Sequence, residues 1–81
     1  MAGNRRFTRL QGQYLASIQM YGKINGRASA EADLQRYFGT TAPSVHDMVI
    51  RLERAGWIER KPGQARSIRA LVPYEELPAL A

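Results

Sequence analysis

The sequence predicts a mainly α domain closed by a small β-hairpin, and three observations predict it. Apolar residues recur every three or four positions in three separate stretches before Gly56. After Gly56 the period drops to two. Hydroxyl residues stand where the helices would begin, and glycines stand where they would end.

The first stretch, TRLQGQYLASIQMY, covers residues 8–21. Thr8 with Gln11 three residues later has the spacing of a capping box. Leu10, Tyr14, Ile18 and Tyr21 form the expected buried stripe, with Phe7 just outside it and Leu15 beside it. Gly22 is the expected C-terminal cap, and KINGRAS follows as a loop. Ser29 is the expected cap of a second helix, AEADLQRYF, with Glu31 and Asp33 in the first turn, where the helix dipole favours negative charge. Leu34, Tyr37 and Phe38 supply its expected buried side, and Gly39 ends it.

Thr41 caps the third helix, and Pro43 sits in its first turn, where a missing N–H does no harm. PSVHDMVIRLERA then places Val45, Met48, Val49 and Leu52 on one stripe, and Gly56 ends the helix. Beyond it Trp57, Glu59 and Lys61 share one face of a strand, and Ile58 and Arg60 the other. Past the Pro-Gly tip, Ile68, Ala70 and Val72 alternate with Ser67, Arg69 and Leu71. Pro73 stops the second strand, and in the tail YEELPALA the apolar Tyr74, Leu77 and Leu80 suit packing back onto the domain. The expected organisation is an N-terminal arm at 1–7, one domain at 8–72 and a tail at 73–81.

Eighty-one residues suffice for one small core. Such a core rarely supplies more than about 3–5 kcal/mol. Cysteine is absent, which excludes disulfides and thiolate metal sites, and the single histidine, His46, builds no metal cage alone; no cofactor is expected. MAGNRRF lacks the apolar block of a signal peptide, and no apolar run approaches the length that crosses a bilayer. A cytoplasmic chain without a membrane partner is expected.

The formal charge is +5, and residues 1–72 hold twelve basic against five acidic residues, or +7. That balance points to a polyanion, with nucleic acid the default. No paired carboxylates or activated nucleophile are visible, since Ser44 has only His46 two positions away and such neighbours do not face each other on a helix. Neither an enzyme nor a small-molecule substrate is expected.

Helix, loop, helix, tight turn, helix, hairpin is the layout of a winged helix-turn-helix, three helices plus a wing. In that arrangement the third helix, residues 42–55, enters the major groove. Its core stripe leaves Pro43, Asp47, Ile50 and Arg54 on the opposite side, flanked by His46 and Arg51. Thr41, Ser44, His46 and Asp47 would meet base edges, and Arg51 and Arg54 would lie nearer the phosphates. The wing, residues 59–67, carries Arg60, Lys61, Gln64 and Arg66 toward the flanking backbone or minor groove. Ile50 is the misfit on the outer face.

Three segments, ADLQRYF with its turn, LERAGWIER, and PGQARSIRAL, resemble the DNA-binding domain of LexA repressors. The resemblance covers roughly residues 7–72. It implies that Thr41, Pro43, Ser44, His46 and Asp47 form the base-facing part of the recognition helix, and Lys61, Gln64 and Arg66 the wing. LexA repressors have an asparagine and acidic residues where this chain has Pro43, His46 and Asp47, so their operator is not expected to transfer. Their self-cleaving serine/lysine peptidase domain is not expected either. The implied function is a bacterial, sequence-preferring binder of double-stranded DNA that regulates transcription, with a homodimer left open. The alternative is a protein-interaction module on the same fold, docking through Ile50, Leu71 and the 73–81 tail.

Overall fold

A computed structural model describes residues 7–81, so the expected N-terminal arm, apart from Phe7, lies outside the described residues. Three helices are followed by a hairpin: α1 at Arg9–Asn25, α2 at Glu31–Phe38, α3 at Ala42–Arg54, β1 at Ile58–Glu59 and β2 at Arg69–Ala70. A single 3-10 turn, Tyr74–Glu76, follows. No helix among the described residues is long and apolar enough to cross a membrane.

The Thr8 capping box forms as expected: Gln11 N–H donates to Thr8 Oγ1 at 3.1 Å, and Thr8 N–H to Gln11 Oε1 at 2.8 Å. Gly22 does not end the helix. α1 runs one turn further, and Gly26, in the left-handed region, donates its N–H to the Gly22 carbonyl. The extra turn carries Lys23 over the ring of Tyr74, 3.7 Å from its centroid.

The buried face of α1 is also rotated from the expected stripe. Tyr14, Leu15 and Ile18 lie in the core, whereas Leu10 is exposed. The cause is tertiary, because α1 touches α2 on one side and β2 on another, and the C-terminal tail lies along it as well. Gln13 binds the tail through Ala79 O and Ala81 N, and Gln19 donates to Val72 O. A Cβ added at Gly12 would come within 3.0 Å of Pro78 and 3.1 Å of Phe7, so the small residue there lets both rings settle on the helix.

Ser29 does not cap α2. Its backbone pairs with Ile68, whose N–H donates to the Ser29 carbonyl at 3.0 Å, so the loop before α2 runs beside the hairpin as a third extended segment. Asp33 supplies the cap instead, its carboxylate accepting the Ala30 N–H at 2.8 Å. Tyr37 also departs from expectation, since it lies half outside the fold, meeting Phe38 edge-on. Phe38 stacks flat on Tyr14, centroids 4.1 Å apart.

α2 and α3 are separated by residues 39–41, with Gly39 in the left-handed conformation. α3 buries Val45, Val49 and Leu52 completely. It ends in a Schellman motif: Trp57 N–H reaches back to the Leu52 carbonyl and Gly56 N–H to that of Glu53. Gly56, at φ 80°, takes the position that penalises any side chain. Trp57 then meets Phe7 edge-on.

The hairpin is antiparallel, with Ile58 opposite Ala70 and Glu59 opposite Arg69. Ile58, Ile68 and Val72 are buried, so the expected alternation holds over a ladder shorter than it implies. Past Glu59 the main-chain pairing gives way to a side chain. Ser67 Oγ accepts the Lys61 N–H at 2.9 Å and donates to the Gln64 carbonyl at 2.8 Å.

Candidate nucleic-acid interface

The turn after α2 and the start of α3 set the geometry of the outward face. Thr41 Oγ1 accepts the Ser44 N–H at 3.3 Å and donates to Ser44 Oγ at 2.9 Å, which locks the first turn. With Val45, Val49 and Leu52 turned inward, Thr41, Pro43, Ser44, His46, Asp47, Arg51 and Arg54 are all exposed. Arg51 and Asp47 face each other across one helical turn, 3.7 Å apart. Ile50 is half-buried rather than fully outward.

The wing tip is a tight turn. Gln64 N–H donates to the Lys61 carbonyl at 3.1 Å, with Pro62 and Gly63 between them. Proline at the second position and a glycine at φ 76° at the third give the pattern of a type II turn. Lys61 and Gln64 are exposed.

The other two wing residues singled out from the sequence turn inward. Arg60 Nε donates to Glu53 Oε1 at 3.1 Å, and its Nη1 lies 3.5 Å from Glu31 Oε2. Arg66 Nη1 donates to Asp33 Oδ2 and to the Tyr21 hydroxyl, both at 2.6 Å, with the Ala28 carbonyl at 3.4 Å. Burial by itself would raise the Asp33 pKa, but the Ala30 N–H and the Arg66 guanidinium outweigh it and hold the carboxyl below its ordinary value. Hydrogen bonding to Asp33 in turn raises the pKa of Arg66, against the opposing effect of burial.

The structure therefore brings seven residues together along α3 and two at the wing tip, while it gives Arg60 and Arg66 partners within the fold. It also supplies a participant that the sequence marks only as a first-turn acid favoured by the helix dipole. Glu31, at the start of α2, faces His46 Nδ1 at 3.0 Å while also approaching Arg60. Its spacing of fifteen residues from His46 has no periodic signature, so only the packing of α2 against α3 reveals the pair. A groove lined by Glu31, Glu53, Arg60 and the wing turn separates the wing from the helix pair.

A helix pair joined by a tight turn, with a hairpin tied to the second helix, defines a winged helix-turn-helix. No protein-family profile matches the chain. Among curated proteins it is similar to the LexA repressor of Thermosipho melanesiensis, 35% identical over 72 residues, covering 89% of this chain and 36% of that protein. It is also similar to the LexA repressor of Oleidesulfovibrio alaskensis, 33% identical over 70 residues, covering 84% of this chain and 34% of the relative. Over most of its length the chain is thus LexA-like in sequence. The chain spans about a third of the length of the curated relatives it matches.

Proposed function

We propose that this chain is the DNA-binding domain of a transcriptional regulator and binds double-stranded DNA with sequence preference. α3 enters the major groove, where Thr41, Pro43, Ser44, His46 and Asp47 meet base edges, and Arg51 and Arg54 approach phosphates. Lys61 and Gln64 at the wing tip contact the flanking backbone. Arg60 and Arg66 act one step back by fixing the wing to the helix pair.

The observation that carries the reading is the continuous exposure of the polar and basic side of α3 while its apolar side is sealed in the core. The net charge of +5 and the similarity to two proteins named as repressors support it. One recognition helix spans only a few base pairs, so two copies on a two-fold site fit the reading. The rival docking surface of Ile50, Leu71 and the tail is less well supported, because Ile50 is half-buried and the tail's Leu77 packs against the core.

The test is fluorescence anisotropy of the domain with a random duplex of about 25 base pairs at about 50 and 200 mM salt, the range over which phosphate contacts weaken binding. Binding that falls steeply with salt supports the reading. Absence of binding at low salt overturns it.

A further inference from the structure

Glu31 occupies the first position of α2, yet its carboxylate faces α3. His46 Nδ1 lies 3.0 Å from Oε2 and 3.3 Å from Oε1. An ionised carboxylate can only accept, so the shared hydrogen belongs to Nδ1. In a neutral imidazole the other nitrogen, Nε2, is then a bare acceptor. Arg60 steadies Glu31 from the wing side, with Nη1 3.5 Å from Oε2, and is itself held by Glu53 at the far end of α3. The ring keeps 58% of its side-chain surface exposed and forms no other hydrogen bond among the described residues.

From this geometry we infer that Glu31 is a specificity-positioning residue, fixing the His46 tautomer so that Nε2 accepts a hydrogen bond from the exocyclic amino group of adenine or cytosine. The inference rests on the DNA-binding reading above and deepens it. In the major groove adenine offers its N6 amino group and cytosine its N4 amino group, whereas guanine O6 and thymine O4 are acceptors that Nε2 would oppose. Glu31 touches no base in this scheme. It plays the part that a carboxylate plays behind a metal-bound histidine, where the hydrogen bond at one ring nitrogen decides the state of the other.

Two measurements test this. The first is long-range nitrogen–proton NMR on the histidine ring of the free protein at about pH 8.5, above the range in which histidines ordinarily titrate. The wild type is expected to carry its proton on Nδ1, and Glu31→Ala to move it to Nε2, the form a free imidazole prefers. A wild-type proton on Nε2, or no change in the variant, overturns the inference without reference to DNA.

The second is selection of preferred sites from a randomised duplex pool. Wild type should favour adenine or cytosine at one position, and Glu31→Ala should relax that preference roughly two- to ten-fold without loss of non-specific affinity. His46→Ala should relax the same position, and the double variant should go no further. Relaxation at different positions in the two variants overturns the proposal. Failure of the wild type to bind any duplex would overturn the DNA-binding reading, and the base contact with it, whatever the tautomer.

Discussion

Arg66 Nη1 stands 2.6 Å from Asp33 Oδ2, and this pair joins the base of the wing to the first helix of the helix-turn-helix. Asp33 is 9% exposed at its side chain and already accepts the Ala30 N–H, so one carboxylate both caps α2 and anchors the wing. Tyr21 completes the cluster by accepting a second hydrogen bond from Arg66.

Asp33→Ala should therefore destabilise the domain by about 1–2 kcal/mol through loss of the cap and the wing anchor together. Arg66→Ala should lower the melting temperature less, because the cap survives it. A double-mutant cycle in urea measures the coupling directly. Additive effects of the two substitutions would show that the pair contributes nothing.

Acid should expose the same contact. The Asp33 carboxyl is held below its ordinary value of 3.8, so its contribution is fully present above that pH and is lost as the pH falls through the folded value. Wild type should accordingly exceed Asp33→Asn in melting temperature at neutral pH, and the gap should close below about pH 4. Thermal denaturation followed by circular dichroism across that range checks it, and a gap that widens in acid would contradict the sign.

The side chains of Lys61 and Arg54 are exposed and make no hydrogen bond or ion pair among the described residues. Replacing either by alanine should leave stability within about 0.5 kcal/mol. Each should also reduce the slope of log affinity against log salt by roughly 0.9, the expectation for one lost phosphate contact. Anisotropy titrations at several salt concentrations measure that slope.

Leu15 and Leu10 separate the buried face of α1 from the stripe read off its periodicity. Leu15 is 0% exposed, so Leu15→Ala should cost about 2–5 kcal/mol, comparable to the whole stability of a domain this size. Leu10 is 52% exposed, and Leu10→Ala should change stability by no more than about 0.5 kcal/mol. Urea midpoints of the two variants make the comparison.

Three helices, their caps at Thr8 and Thr41, the Gly39 turn and the hairpin with its Pro-Gly tip were all legible in the sequence. They depend on neighbours a few residues apart, and α3 read best because its stripe of Val45, Val49 and Leu52 faces a core on one side only. The outward residues of α3 followed from that stripe by subtraction. What the tertiary structure decided lies between segments distant in the chain. Ser29 was drawn from helix capping into pairing with Ile68, Tyr37 was left outside, and Leu15 displaced Leu10 because α1 is enclosed from several directions. It also turned Arg60 and Arg66 inward and set Glu31 against His46. A basic residue in a wing reads the same in sequence whether it meets phosphate or carboxylate, since the acid that claims it comes from another helix and only folding brings the two within reach.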